Sequence, residues 1–456
     1  MPLFITVWVA KVILGLSRTL GRGGGSALPG LIAEKMDQNV GEKLAKKIAN
    51  GSIIITGTNG KTTTSKMVSK ILTDRGESLV QNRSGSNLSR GIVSALIEHA
   101  TWGGTIKESI GLFEVDEAAM PAVAKMLKPR AIVVLNLFRD QLDRYGELDT
   151  TAALIGKGIS STKTKLILNA DDPLVASLSK YANNQDEVEY FGLEKVPSSM
   201  LSHDVTADSN TCPICGRALK YSQEFYGHIG HYKCEEGHFD RPSPKAYATN
   251  IELGNDGSSF LIGVHESTID ATIGLPGLYN IYNAVAASAL SYELGLQLES
   301  AVQSLENVEA AFGRVEKLSV GTKKIYLLLV KNPTGFNQII QTFLLTKKHQ
   351  NIIFIINDNF ADGRDISWLW DVAFEELEHH SHTIDCSGLR ATDMALRLKY
   401  TGIHVRDINK NIRKSLNHFI DQLPENSTGY IIPSYTAMLE SRKLLGKKVN
   451  LKGVWK

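Results

Sequence analysis

Residues 52–56, SIIIT, form an unbroken apolar run closed by a polar residue. The same pattern returns at 110–115 (IGLFEV), 131–136 (AIVVLN) and 165–170 (KLILNA). Short β-branched runs without polar alternation predict strands buried on both faces. From about residue 40 helical periodicity fills the intervals between them. This alternation predicts an α/β fold, a mainly parallel sheet flanked by helices, with ligands at the carboxyl ends of the strands. The polar residues at those ends are therefore the candidates for chemistry: Thr58 to Thr63, Glu114 with Asp116, Asn136, and Asn169 with Asp171 and Asp172.

The rest of the chain divides around this core. Residues 3–16 (LFITVWVAKVILGL) are interrupted by Lys11 and are shorter than the roughly 20 apolar residues a bilayer span requires. They read as an amphipathic helix docking on the body, with contact to a membrane surface left open. A Gly-rich loop follows at 21–30. Cys, His, Tyr and Gly crowd residues 205–245, too few for a core of their own. A helical pattern at 278–296 precedes a break near 312–324, after which strands are expected at 325–330, 351–358 and 429–434. The expected organisation is residues 1–45 as helix and loop, 46–312 as the main domain with 205–245 inserted, and 313–456 as a C-terminal α/β domain.

Lys plus Arg number 50 against 48 acids, a net charge of +2, which removes the reason to expect a general nucleic-acid binder. Four cysteines in 456 residues are too few for a disulfide scaffold and suit a reducing cytoplasm. The N-terminus lacks the basic start and small-residue cleavage site of a signal peptide.

The loop after the first strand, Gly57-Thr58-Asn59-Gly60-Lys61-Thr62, opens a helix. Glycines let backbone N–H groups converge on phosphate oxygens, the helix N-terminus adds its dipole, Lys61 a charge, and Thr62 a hydroxyl for Mg²⁺. ATP–Mg²⁺ binding is the expectation, with Thr58, Asn59, Gly60, Lys61, Thr62 and Thr63 forming the phosphate site. The loop is short, with Ile55 in the place of the usual first glycine. In this form, TGTNGKTTT resembles the ATP loop of the Mur ligase superfamily, which includes folylpolyglutamate synthase and activates carboxylates as acyl phosphates for attack by an amine. That resemblance implies further roles. Glu114 in IGLFEVDE looks like the Mg²⁺-binding glutamate, Asn283 in LYNIYNAVAA the asparagine that meets adenine, and Arg314 in FGRVE the hinge arginine.

Cys212-Pro-Ile-Cys215-Gly presents two thiolates from one tight turn, half of a structural zinc site. The second half holds Cys234 alone, followed by Glu235, Glu236, Gly237 and His238. His238 is the first candidate for the fourth zinc ligand, with His231 and Glu236 as alternatives and a metal-free ribbon as the rival reading. Cys386 reads as a small core residue.

The C-terminal segments LLLVKNPTGFNQ, INDNFADGRDISWLWDVAFE, SGLRATDMALRLKY and SYTAML resemble the MurT family, ligase-like subunits of lipid II isoglutaminyl synthase, as do residues 136–149 and the N-terminal LGRGGGSALPG. The resemblance departs at the ribbon, where the family usually has a fourth cysteine and this chain has Gly237 and His238. It implies ATP-dependent amidation of the α-carboxylate of D-glutamate in the stem peptide of lipid II, giving D-isoglutamine. The only cysteine outside the ribbon lacks a nucleophile-turn context, so ammonia is expected from a partner, the GatD-type glutaminase subunit, bound to the C-terminal domain. Read from residues alone, Asp358, Asp362 and Asp365 are a solvated acidic loop or a cation loop, and their spacing does not fit calcium. The resemblance instead gives Asp365 the task of orienting the partner's histidine. Two rival functions stand beside this one: a self-sufficient amino-acid-adding ligase of Mur or folylpolyglutamate type, and a ribbon binding module with a vestigial ATPase.

Overall fold

The computed structural model describes residues 2–19, 27–82, 86–139, 148–197, 210–254, 256–308, 315–345, 347 and 349–447. Arg314 and most of the Gly-rich loop and of residues 136–149 lie outside the described residues.

The first half carries β1 (Ser52–Thr56), β2 (Leu79–Gln81), β3 (Ile110–Glu114), β4 (Ala131–Val134), β5 (Lys165–Asn169) and β6 (Val188–Leu193). Then come β7 (Leu219–Tyr226), β8 (Ile229–Cys234), β9 (Ala246–Leu253), β10 (Ser258–Val264) and β11 (Ser267–Ile273). Among the described residues these form a nine-stranded sheet, β11-β10-β9-β6-β5-β4-β1-β3-β2, and a separate hairpin, β7-β8. The pairs from β2 through β9 are parallel, and β10 and β11 close one edge antiparallel.

Every residue of β1 is buried, as its unbroken apolar run requires. Its side chains alternate between two cores: Ile53 and Ile55 join the core that includes Met67, Val68 and Ile71 of the helix Lys61–Asp74, while Ile54 joins Phe113 and Ile132 on the other face. Truncating one of these isoleucines to alanine would cost about 2–5 kcal/mol.

A second, six-stranded sheet follows, built from β12 (Glu316–Val320), β13 (Lys323–Leu327), β14 (Asn351–Ile355), β15 (Thr383–Ser387), β16 (Asp407–Asn409) and β17 (Thr428–Pro433). Its order is β12-β13-β17-β14-β15-β16, parallel except for the β12-β13 hairpin. It too divides two cores, with Ile352 and Phe354 on one side and Ile353 and Ile355 on the other. The loop leaving β13 carries Asn332 to the first sheet, where its Nδ2 donates to Asn59 Oδ1 at 3.2 Å. Its Oδ1 meanwhile accepts the Gly335 N–H at 2.8 Å and caps the helix Pro333–Ile339. One side chain thus joins the C-terminal domain to the loop after β1.

The hairpin β7-β8 is fastened by the acids that close β5. Asp171 accepts from Arg241 Nε at 2.5 Å, Tyr282 Oη at 2.6 Å and Leu193 N at 2.7 Å, and its carbonyl takes the Gly230 N–H. Asp172 caps the helix Pro173–Ser177, receives the Leu137 N–H, and lies 3.4 Å from the buried His228 ring. Asn169 bonds Leu135 O and Asp171 N. These three strand-end residues are structural fasteners.

Candidate active site

β1 runs directly into the turn Gly57–Gly60, and the helix Lys61–Asp74 starts on its far side. Gly57 and Gly60 have φ of 124° and 91°, a region that side chains disfavour. A Cβ on Gly60 would also stand 2.3 Å from Asn283 Oδ1. No side chain caps this helix, so its leading N–H groups remain available to an anion. Asn136 holds the turn from beneath: its Oδ1 takes the Asn59 N–H at 2.8 Å, and its Nδ2 donates to Asn59 O at 3.1 Å. Thr58 is locked by reciprocal bonds with the backbone of Phe138.

Lys61 lies folded back along the turn. Its Nζ donates to Gly57 O at 2.5 Å and to Glu117 Oε1 at 3.0 Å. Burial raises the Glu117 carboxyl's pKa, but the neighbouring Lys61 and Lys331 charges and a backbone N–H outweigh it and hold the group below its ordinary value. Thr62 Oγ1 donates to Glu114 Oε2 at 2.9 Å, so the two oxygens expected to meet Mg²⁺ are already adjacent. Asn82 fixes Glu114 by bonding both its N–H and its carbonyl.

A cleft opens beside the turn. Asn59, Gly60, Thr63, Tyr279 and Asn283 line it from the first domain, Val315, Leu329, Thr334 and Gln338 from the second, and Tyr226 from the hairpin. Asn283 accepts from Thr64 Oγ1 at 3.2 Å and donates to Asn280 Oδ1, which fixes its buried amide in the wall of the cleft. The arrangement fits a nucleotide: an apolar slot between two domains leads to a helix N-terminus, a lysine and a hydroxyl–carboxylate pair. Glu117, Lys331 and Asn332 were not singled out from the sequence. Glu117 closes the stretch IGLFEVDE, just beyond the suspected strand-end residues Glu114 and Asp116.

At the hairpin base, the sulfurs of Cys212, Cys215 and Cys234 lie within 4.8 Å of one another, with Cys215 and Cys234 3.7 Å apart. The His238 backbone N–H, helped by that of Glu236, outweighs burial and brings the Cys234 thiol down to about 7. Three converging thiols with backbone N–H support fit a soft metal ion such as zinc. His238, the first candidate for the fourth position, is exposed and its ring does not enter the group. His231 is held away by the Leu193 carbonyl, and Glu236 pairs with Arg217. Cys386 is fully buried, and burial pushes its thiol pKa up, the reverse of what a nucleophile needs.

The acidic loop separates into distinct tasks. Asp358 holds Arg390 at 2.7 Å, and Asp362 bonds Thr436 and Asn359 N. Asp365 Oδ1 accepts the Ser367 N–H at 2.8 Å. Phe360 in this loop and Trp370 just after it are 83% and 50% exposed, and Tyr400, whose ring packs on Trp370, is 72% exposed.

Comparison with known proteins settles the family. Residues 329–438 match the MurT ligase C-terminal family and residues 55–228 the Mur ligase middle domain. The chain is 34% identical over 439 residues to the subunit MurT of lipid II isoglutaminyl synthase (glutamine-hydrolyzing) of Staphylococcus aureus, covering 95% of both chains. The chain belongs to the MurT family. The MurT subunit of Streptococcus pneumoniae is 35% identical over 440 residues, covering 95% of this chain and 94% of that one. Among solved structures, a pseudomurein peptide ligase type C from Methanothermus fervidus shares the fold with a TM-score of 0.70 at 23% identity, covering 89% of this chain and 80% of that one. The chain is thus a Mur-type ATP-dependent ligase subunit, of a superfamily that uses ATP and Mg²⁺. Among the described residues, no helix is long and apolar enough to cross a membrane.

Proposed function

We propose that this chain is the ATP-using half of a glutamine-dependent amidotransferase acting on the stem peptide of lipid II. The observation that carries the reading is the join of an intact phosphate site, Lys61 with the Thr62–Glu114 pair, to MurT relatives along nearly the whole chain. A carboxylate does not react with ammonia at neutral pH. Transfer of the γ-phosphoryl group from ATP to an oxygen of the D-glutamate α-carboxylate supplies a leaving group. Ammonia then attacks the carbonyl carbon, the C–O bond to phosphate breaks, one proton leaves the nitrogen, and D-isoglutamine and phosphate result. The leading N–H groups of the helix Lys61–Asp74 cradle the phosphates, with Lys61 turning from Glu117 to follow the charge. Thr62 and Glu114 would hold Mg²⁺, which supplies positive charge at the phosphate oxygens. Asn283 faces the adenine and Arg314 serves the hinge.

Ammonia comes from a partner glutaminase of GatD type. Cys386 is too buried to serve as a nucleophile, and the exposed apolar residues around Asp365 suit a docking face. Asp365 orients the partner's catalytic histidine while its Oδ1 keeps the Ser367 bond. Cys212, Cys215 and Cys234 would hold a structural zinc ion, with the fourth place left to His238, Glu236 or water.

Turnover with the stem-peptide carboxylate labelled with ¹⁸O tests the chemistry. The acyl phosphate route carries one label into inorganic phosphate; label retained wholly in the peptide and water would refute it.

A further inference from the structure

The helix Leu3–Thr19 buries Thr6, Val7 and Ala10 against the helices Leu28–Met36 and Ser89–His99. Its other side should face water and be polar. It is not: Phe4, Ile5, Trp8, Val12 and Leu16 stand outward, 54%, 37%, 55%, 37% and 57% exposed. At 3.6 residues per turn they occupy one arc of roughly 120°. Trp102, 57% exposed in the loop after the helix Ser89–His99, extends the patch, its ring centroid 6.2 Å from that of Trp8. Lys11 sits at the rim, its Nζ 5.8 Å from the Trp102 centroid and bonded to Glu98 O.

Charge says what covers this face. The first 33 residues contain Lys11, Arg18 and Arg22 and no acid; Glu34 is the first. The charges of this segment of the sequence are thus all basic, which complements an anionic lipid surface, with the exposed Glu98 beside Lys11 as an acid contributed by the neighbouring helix, and paired tryptophans suit the level of the headgroups. Two copies of the same face would bring like charges together. The helix is 17 residues long, about 25 Å, too short to span a bilayer but able to lie along one.

We infer that the outer face of the helix Leu3–Thr19, with Trp102, docks the protein on an anionic phospholipid leaflet. The inference deepens the reading of a lipid-linked substrate and rests on it for its purpose: a docked enzyme meets a membrane-anchored stem peptide by two-dimensional search.

The test is co-sedimentation of the full chain with phosphatidylglycerol–phosphatidylcholine vesicles and with phosphatidylcholine vesicles, neither containing lipid II. Binding to the anionic vesicles, weakened by salt, is expected, and Trp8→Glu with Leu16→Glu should lower the partition coefficient about ten-fold or more. The exposed Trp102→Ser should weaken binding with no change in Tm. The double variant should amidate a soluble, lipid-free stem-peptide substrate as the native chain does. No binding to anionic vesicles at low salt, or equal binding by the double variant, would overturn the inference. So would a dimer, seen by sedimentation, that the double substitution dissolves. Vesicle binding by a chain that amidates nothing would leave this inference standing and remove the proposed function instead.

Discussion

Glu117 Oε1 lies 3.0 Å from Lys61 Nζ, and the two side chains are only 7% and 11% exposed. The lysine that the phosphate loop needs is therefore held by an internal carboxylate within the same site. Removing one member of a buried pair strands the other charge, at a cost of about 3 kcal/mol or more. Glu117→Gln should lower stability by about that amount. It should also enlarge the rise in Tm produced by ATP–Mg²⁺, because phosphate then supplies the missing counter-charge. Thermal unfolding with and without nucleotide checks both effects; an unchanged Tm would show that the pair is idle.

The same pair predicts a pH dependence. The Glu117 pKa is lowered in the folded chain, so its stabilisation is fully present above the ordinary carboxylate range. It is lost as pH falls through the lower, folded value. Urea unfolding across the acid range should show the native chain losing this increment and Glu117→Gln lacking it.

For the Thr62–Glu114 contact, the expectation concerns metal demand. Glu114→Gln should raise the Mg²⁺ needed for half-maximal amidation by at least the roughly 10- to 100-fold that losing even an outer-shell partner costs a metal site. Lys61→Met should lower kcat by about 10²–10³ at saturating Mg²⁺. Titrating Mg²⁺ in the amidation assay separates the two. A Glu114→Gln variant with an unaltered Mg²⁺ curve would remove Glu114 from the metal site.

Much of this was legible in the sequence, for a physical reason. A strand buried on both faces leaves a continuous apolar run, and a phosphate turn leaves glycines beside a lysine, so β1 and residues 57–62 can be read locally. Polar residues at other strand ends look alike in sequence whether they face a ligand or the protein. Asp171 became suspect at the end of β5, yet Arg241 and Tyr282, 70 and 111 residues away, close over it. Asn332 carries no local signal, because its bond to Asn59 spans 273 residues. His238 offers the imidazole that would complete a tetrahedral set with three thiolates, whereas the turn brings its backbone N–H, and not its ring, toward the sulfur.

Zinc should copurify with the chain expressed without a histidine tag, at about one equivalent. Cys212→Ser or Cys234→Ser should abolish it and lower Tm, whereas His238→Ala and Glu236→Ala separate the candidates for the fourth place. Elemental analysis finding less than about a tenth of an equivalent in the native chain would exclude the site.

Asp365→Asn keeps an oxygen for the Ser367 N–H but loses the negative charge. With the partner glutaminase and glutamine, amidation should fall by up to about 10⁴, the cost of losing an orienting carboxylate. Activity with ammonium and coelution with the partner should persist. Near-normal glutamine-dependent activity would place the orienting group elsewhere.

The most direct measurement is mass spectrometry of lipid II incubated with ATP–Mg²⁺ and this chain, supplied with ammonium or with glutamine. The account predicts that ammonium alone yields the mass decrease of a carboxyl converted to an amide, and that glutamine does so only once the glutaminase partner is added. An unchanged stem peptide under every condition, or one heavier by a whole amino acid, would contradict it.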